Sequence, residues 1–172
     1  MKLDNELIMK AVGEVLSRMQ CDDTKGDWGI FENMNDAVEA ASAAQREYLN
    51  RSMTDRAKYV QAIRDTALRQ DILEYISKAA AEETGIGEFH YKVAKNTLAA
   101  QKTPGVEDLT TDAMSGDDGL TVVEYSPYGV IGAITPTTNP TETIICNSIC
   151  MLAAGNAVVF SPTPEQRTSA SS

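Results

Sequence analysis

Two short apolar runs, with one helix-forming segment between them, constrain the fold of this 172-residue chain more than any other feature. Residues 130–134 have the length and β-branched content of a buried strand, and Pro136 stops them. Residues 157–160 form a second apolar run, which Ser161 and Pro162 close. A crossover this short joins neighbouring strands of a parallel sheet with a right-handed connection. The sequence therefore predicts an α/β fold that includes a strand–helix–strand unit.

The segment between the two runs carries signals for both ends of a helix. Asn139 is a favoured N-cap residue, Pro140 suits the first helical position, and Glu142 stands where a capping box places its carboxylate. Gly155 and Asn156 end the helix, because glycine adopts the left-handed conformation of a helix C-terminus without a Cβ clash. We expect Glu142 to cap this helix and to interact with its dipole rather than to act as a general base.

The chain before this unit shows mostly helical patterns. Asn35 or Asp36 is expected to cap a first helix that ends near residue 48 or 49. Further helices are predicted over residues 54–68, 71–83 and 92–101, where apolar side chains recur at helical spacing. The domain therefore begins with helices and ends with strands.

Two glycine-containing segments mark turns. Gly85 and Gly87 follow a predicted helix and no strand, so they indicate a helix stop and not half of a dinucleotide-binding fingerprint. Residues 115–119 predict a turn. Residues 120–124 predict a strand, which we expect to pair antiparallel with another element.

The charge distribution excludes one class of partner. The chain has a net charge of −10, and residues 104–172 contain eight acidic residues and one basic residue, Arg167. Nucleic-acid binding requires clustered Lys or Arg, so we expect no nucleic-acid partner. A nucleotide pyrophosphate near the strand–helix–strand unit would have to rely on backbone N–H groups and a helix N-terminus, because no basic side chain is close in sequence.

Cysteine usage and hydropathy indicate a reducing compartment. No segment approaches the ~18–20 apolar residues of a membrane span and no signal peptide is recognisable, so we expect a cytoplasmic protein without a membrane partner. Of the three cysteines, Cys146 and Cys150 lie one helical turn apart, but no third ligand is near and His90 is the only histidine. We therefore expect no metal site and interpret both thiols as small core side chains.

Residues 1–19 have a character of their own. Apolar side chains recur there at three- and four-residue steps between polar ones, which predicts an amphipathic helix. Residues 20–27 form a polar linker, so we expect the domain proper to occupy residues 28–172. An apolar stripe that its own domain does not cover should bind a partner surface. The alternatives are packing on its own domain, on a sister subunit, or on a membrane surface, the last disfavoured by the mixed charge of the polar face.

Three separated motifs occur in order: Pro127-x-Gly129-Val130, then Pro136-x-x-Asn139-Pro140, then Ala-Ala-Gly-Asn-Ala-Val-Val at residues 153–159. Together they resemble the cofactor-domain signature of the aldehyde dehydrogenase superfamily. Segments 29–31, 83–87, 103–109 and 124–127 are similar to the CoA-acylating branch, which includes the propionaldehyde and acetaldehyde dehydrogenases of bacterial microcompartments. The resemblance implies N-terminal helices followed by the opening βαβ unit of a Rossmann-like cofactor domain, which these residues leave incomplete.

The resemblance also implies a reaction. Members of this branch convert a short-chain aldehyde, coenzyme A and NAD+ to acyl-CoA and NADH, with NAD as cofactor and CoA as co-substrate, and they are expected to be homo-oligomers. The nucleophilic cysteine of the family corresponds to sequence beyond residue 172. We therefore expect these 172 residues to be an N-terminal part of the enzyme and to be inactive alone.

The same branch suggests a role for residues 1–19. N-terminal extensions of its microcompartment members resemble encapsulation peptides, so these residues are expected to dock on a microcompartment shell protein. The alternative function is a non-catalytic interaction module that binds shell protein through this helix alone.

The resemblance assigns a catalytic role to Asn139. The matching asparagine of the family donates its side-chain N–H to the oxygen of the thiohemiacetal and thioester intermediates, where negative charge develops. The residues alone favour a simple N-cap. The two roles are compatible only if the side-chain carbonyl caps the helix while the NH2 group donates outward.

Candidate cofactor-binding residues follow both strands, at the edge where open α/β sheets bind ligands. After the first strand they are Thr135, Pro136, Thr137 and Thr138, and after the second they are Ser161, Pro162 and Thr163. Ser161 and Pro164 stand where other family members have the Lys and Glu that bind the adenosine ribose. The ribose contact is therefore expected to be weaker or differently made, and the other interpretation of this segment is a proline-rich strand exit.

Overall fold

A computed structural model describes residues 26–27 and 29–162. The predicted amphipathic helix over residues 1–19, most of the linker and Thr163 lie outside the described residues. The chain divides into two compact units, Met1–Ala40 and Ala41–Ser172, and each is described by itself.

The described part of the first unit contains a small antiparallel pair. Strand β1 (Gly26–Asp27) pairs with β2 (Ile30–Phe31), and Gly29 between them has a φ of 82°, which favours glycine. Helix α1 (Met34–Tyr48) starts here and continues into the second unit. It starts earlier than predicted, because Asn33 rather than Asn35 or Asp36 caps it: Asn33 Oδ1 accepts a hydrogen bond from the N–H of Asn35 at 2.8 Å.

The second unit contains four more helices among its described residues. Helix α2 (Met53–Ala67) is capped by Ser52, whose Oγ accepts from the N–H of Asp55 at 3.2 Å. Helix α3 (Gln70–Thr84) ends at Gly85 with a φ of 63°, as its sequence predicts. Helix α4 (Phe89–Lys102) and, later in the chain, α5 (Pro140–Ala153) complete the set.

The strands of this unit form two separate pairs. Strands β3 (Asp112–Gly116) and β4 (Gly119–Val123) make an antiparallel hairpin; the turn, the second strand and its antiparallel pairing agree with the prediction, whereas β3 was not predicted. Strands β5 (Val130–Thr135) and β6 (Ala157–Pro162) are parallel neighbours and flank α5 in sequence. The predicted strand–helix–strand unit is therefore confirmed.

The core of the second unit lies between the helices. Its buried side chains are mostly small or β-branched, and Ile149 and Ala100 are fully buried. The members come from α2, α3, α4 and α5, namely Val60, Ala67, Ile76, Ala99, Ala100, Ile145, Ile149 and Ala153. The many alanines allow the helices to approach closely, so one face of α5 packs against α2, α3 and α4.

Strand β5 is less buried than its sequence predicts. Ala133 and Thr135 are buried, whereas Ile134 between them is 79% exposed. Successive side chains of a strand point to opposite faces of a sheet, and in the described residues one face of β5 is covered while the other is open. The expectation of a strand buried on both faces is therefore wrong for this part of the chain.

Polar side chains fix the turn between α5 and β6. Gly155 has a φ of 85°, and Asn156, which is buried, accepts hydrogen bonds at Oδ1 from the N–H groups of Tyr128 (2.7 Å) and Gly129 (2.9 Å). Gln45 Nε2 donates to the carbonyl of Gly155 at 3.2 Å. These bonds join the end of α5 to the start of β5, so they set the position of the whole strand–helix–strand unit.

Candidate functional site

The parallel register brings the two groups of candidate cofactor residues to one edge. Thr135 is the register partner of Pro162, and Ile134 is the partner of Ser161. Thr135 is fully buried and its Oγ1 has no hydrogen-bond partner, whereas Pro136 is exposed. Along the loop that follows, Thr137 is half-buried and Thr138 is exposed. Because parallel strands end at the same edge of a sheet, Thr135 and Pro162 lie at one edge.

Asn139 begins helix α5 but does not cap it with its side chain. Its backbone carbonyl accepts from the N–H of Thr143 at 3.2 Å, as an N-cap carbonyl does. Its side chain makes no capping hydrogen bond, and Oδ1 instead accepts from Nζ of Lys95 at 2.8 Å. The prediction of a side-chain cap is therefore wrong, because the amide oxygen is bound to an ammonium group.

Glu142 does not form the predicted capping box. Its side chain makes no hydrogen bond to the backbone N–H of Asn139. Only 8% of Glu142 is exposed; Oε2 accepts from Thr141 Oγ1 at 3.2 Å, and Oε1 has no partner. Its place in the first turn of α5 still agrees with an interaction between a carboxylate and the positive end of the helix dipole.

Lys92 and Lys95 bring positive charge to the loop. Lys92 is almost completely buried, and its Nζ donates to the carbonyl of Thr138 at 2.7 Å. The pKa of Lys92 is lowered by burial, and the nearby carboxylate of Glu142 offsets only part of this effect. No basic residue is close to this loop in sequence, but two lysines are close in space, because α4 brings them from more than forty residues earlier.

A sequence signal for Lys92 exists. It lies on the buried face of α4 with Asn96, Ala99 and Ala100, at the spacing of one helical stripe. A lysine at an otherwise small and buried position needs an acceptor, because burying an unpaired ammonium is costly. This spacing could have indicated a buried polar partner, although not which one.

An open groove of about 560 Å³ lies between α4 and α5, beside Asn139. Leu98 and Ala99 line one wall, and Thr143 and Cys146 line the other. The groove therefore offers a mostly apolar space next to the amide of Asn139.

The two cysteines of α5 are held by neighbouring groups. Cys146 Sγ accepts from Thr103 Oγ1 at 3.0 Å and packs against the core, as predicted. Cys150 Sγ donates to the carbonyl of Pro104 at 3.6 Å, and burial raises the pKa of its thiol. Within the described residues neither thiol is hydrogen-bonded to a histidine or carboxylate side chain, and no cluster of three metal-ligating side chains is present there.

Comparison with known proteins identifies the family. The model of the aldehyde dehydrogenase family matches residues 28–172. The chain belongs to the aldehyde dehydrogenase family. The fold class and the family predicted from the motifs are thus confirmed, and the candidate site lies inside the matched region.

The chain is similar to CoA-acylating members of the family. The propanal dehydrogenase (CoA-propanoylating) of Citrobacter freundii is 45% identical, with 92% of this chain and 33% of the relative covered. The propionaldehyde dehydrogenase of Rhodopseudomonas palustris, solved with bound CoA and an acylated cysteine, is 67% identical with a TM-score of 0.80, covering 83% of this chain and 32% of that one.

Two further solved structures are similar. A propionaldehyde dehydrogenase from the fucose utilisation microcompartment of Clostridium phytofermentans is 51% identical with a TM-score of 0.79, covering 84% of this chain and 33% of that one. An engineered glycolyl-CoA reductase with bound NADP+ is 66% identical with a TM-score of 0.80, covering 83% of this chain and 32% of that one. The chain spans about a third of the length of the relatives it matches.

Among the described residues, no helix combines the length and the apolar content needed to cross a membrane.

Proposed function

We propose that these residues form the N-terminal part of an enzyme that converts a short-chain aldehyde, CoA and NAD+ to acyl-CoA and NADH. The observation that carries this proposal is the side chain of Asn139. Its oxygen is bound to Lys95, and its NH2 group donates no hydrogen bond within residues 26–27 and 29–162. A donor left available beside a groove, in a chain similar to CoA-acylating dehydrogenases, fits the stabilisation of an oxyanion.

The proposed role of Asn139 is transition-state stabilisation. As a nucleophile adds to the aldehyde carbon, the carbonyl oxygen gains negative charge, and the amide N–H of Asn139 donates to it. The same donor serves again when CoA attacks the acyl group. A preorganised donor of this kind contributes about 3–4 kcal/mol to the lowering of the barrier.

The proposed cofactor edge consists of Thr135, Pro136, Thr137 and Thr138 together with Ser161, Pro162 and Thr163. The unpartnered, buried Oγ1 of Thr135 and the uncharged side chains of this edge fit a nucleotide held by hydroxyl and backbone groups. When bound, NAD accepts the hydride and CoA accepts the acyl group. Ser161 stands where other family members have a Lys, so it offers the ribose no positive charge. A weaker ribose contact suits an edge that NAD and CoA occupy in turn.

The hairpin β3–β4 supports the proposed homo-oligomer. All of its residues are exposed, among them the apolar side chains of Met114 (59%), Leu120 (67%) and Val122 (52%). Exposed apolar strands of this kind commonly become buried in a subunit interface.

The proposed activity is testable in a reconstituted enzyme. In this chimeric enzyme, residues 1–172 replace the matching segment of the R. palustris enzyme and are joined to its remaining two thirds. We expect aldehyde-dependent NADH formation that requires CoA. A folded reconstituted enzyme that oxidises no short-chain aldehyde would refute the proposed function. Reading the DNA beyond codon 172 is an independent test, because a continuous frame that encodes a further cysteine is expected.

The 172-residue polypeptide alone is expected to show no aldehyde-dependent NADH formation. Cys146 and Cys150 are engaged by Thr103 and Pro104, and neither is activated as a nucleophile. NADH formation by the purified chain, with and without CoA, is the measurement. CoA-dependent turnover that disappears in Cys146→Ser would show that this thiol, and not a later cysteine, is the nucleophile.

We further propose a location inside a bacterial microcompartment, which the similarity to the C. phytofermentans enzyme supports. The proposed shell contact is the apolar stripe predicted for residues 1–19. Burying it would contribute several kcal/mol at about 25 cal/mol per Å² of apolar area, partly offset by ordering of the helix.

Residues 1–19 fused to a fluorescent protein are expected to form puncta only in cells that assemble a shell. Leu7→Asp combined with Leu16→Asp should disperse them, because both substitutions place charge in the apolar stripe. Asp4→Asn is the matched control on the polar positions and should retain the puncta. Diffuse fluorescence of the unmutated fusion in shell-producing cells would reject targeting.

A further inference from the structure

Two lysines of α4 bind the loop that leads into α5. Lys95 Nζ lies 2.8 Å from Asn139 Oδ1, and Lys92 Nζ lies 2.7 Å from the carbonyl oxygen of Thr138. Residues three apart on a helix share a face, so one face of α4 holds two consecutive residues of the loop. We propose that Lys95 is a positioning residue that orients and polarises the amide of Asn139, an inference that rests on the proposed function.

The chemistry of the ammonium group fixes the orientation of the amide. An ammonium has three donors and no acceptor, so the atom of Asn139 that faces Lys95 is the carbonyl oxygen. A flipped amide would place N–H groups against N–H groups. The NH2 group is thereby turned away from Lys95, and it finds no acceptor within the described part of the chain.

Lys92, the buried neighbour of Lys95 on α4, helps to hold Asn139 in place. It binds the backbone carbonyl of Thr138, so the Cα of Asn139 has little freedom relative to α4. The remaining freedom of Asn139 is rotation of its side chain, and the bond to Lys95 restricts this rotation. Helix capping, which would turn the amide oxygen towards the N–H groups of α5, is the competing arrangement, and it is not adopted.

Lys95 also strengthens the donor. A positive charge on the oxygen side of an amide draws electron density from the nitrogen, so the N–H groups become better donors. Lys95 is exposed, so water and salt screen part of this effect. We therefore expect its loss to lower kcat about tenfold, less than the loss of Asn139 itself.

The test uses the reconstituted enzyme and four variants. Lys95→Met should lower kcat about tenfold and leave the KM for NAD+ within about twofold, because the contact acts on the transition state. Lys95→Gln should lower kcat similarly. Lys95→Arg should retain most of the unmutated kcat, because a guanidinium also presents only donors. Lys78→Met is the matched control: Lys78 lies on α3, is exposed, and among the described residues has only Glu82 as an ionic neighbour at 3.9 Å, so its variant should retain kcat.

A double-mutant cycle separates positioning through Asn139 from other effects. In an Asn139→Ala background, Lys95→Met should change kcat by less than about twofold, because the amide on which it acts is gone. An unchanged kcat in Lys95→Met, or an equal loss in both backgrounds, would overturn the inference. If Asn139→Ala leaves kcat unchanged while the reconstituted enzyme is active, the proposed role of Asn139 is wrong, and the role of Lys95 is wrong with it. If Asn139→Ala lowers kcat but Lys95→Met does not, only the role of Lys95 is wrong.

Discussion

Replacing Asn139 with alanine is expected to lower kcat of the reconstituted enzyme about 10²- to 10³-fold and to leave the KM for NAD+ nearly unchanged. The NH2 group that the substitution removes donates to no acceptor in the described structure, so the folded ground state loses only the bond from Lys95. The transition state loses its oxyanion donor. Steady-state NADH formation at saturating aldehyde, combined with NAD+ binding by calorimetry, measures both quantities.

Two further variants sharpen this prediction. Asn139→Asp should be slower than Asn139→Ala, because its carboxylate has no N–H donor and repels the developing oxyanion, even though it would pair with Lys95. Asn50→Ala is the matched control, since Asn50 is exposed and its side chain donates only to the carbonyl of Arg46 among the described residues. Weakened NAD+ binding in Asn139→Ala with unchanged single-turnover chemistry would mean that Asn139 is structural.

Local signals in the sequence predicted the elements of the fold well. The strands at 130–134 and 157–160 are encoded by short runs without polar side chains, and the ends of α3 and α5 by Gly85 and Gly155. Each of these features depends on residues within one turn or one strand. For the same reason the convergence of the two strand ends at one edge was predictable, because it follows from a parallel crossover.

The contacts that define the environment of Asn139 were not predictable from local pattern. Lys95 and Lys92 are separated from the loop by 44 and 46 residues, so no periodicity connects them with it. The side-chain cap by Asn139 failed for a physical reason: a charged donor binds an amide oxygen more strongly than a backbone N–H does. Propensity rules for helix starts omit donors that arrive from another helix, and here such a donor decides the orientation of the side chain.

The exposure of β5 shows a second limit of local reasoning. A continuous apolar run predicts a strand covered on both faces, yet Ile134 is largely exposed in the described residues while Ala133 is buried. The burial of an apolar side chain depends on which other elements pack against it, whereas the alternation of side chains along a strand is set by backbone geometry alone. The prediction of a strand is therefore correct, and the prediction that both of its faces are covered is not.

Asn156→Ala is expected to produce the largest loss of local stability. Asn156 Oδ1 accepts two backbone hydrogen bonds, from Tyr128 and Gly129, and alanine leaves both donors without a partner in a partly buried place. A lost net hydrogen bond costs about 1 kcal/mol, and in the variant water can reach the N–H of Tyr128, because that residue is exposed. The expected total of about 1–2 kcal/mol for the two bonds corresponds to exchange of the neighbouring amides about 5- to 30-fold faster.

Native-state hydrogen exchange of peptides that cover residues 126–132 measures this effect in the reconstituted enzyme, where global two-state unfolding is not required. Asn156→Asp is the informative companion, because a carboxylate keeps an acceptor for both N–H groups and should retain most of the protection. Asn147→Ala removes a half-buried amide from α5, the helix that precedes Asn156, without breaking a side-chain hydrogen bond in the described structure, so exchange at 126–132 should stay unchanged. Equal acceleration in Asn147→Ala and Asn156→Ala would mean that general packing of α5, and not the two bonds of Asn156, holds the start of β5.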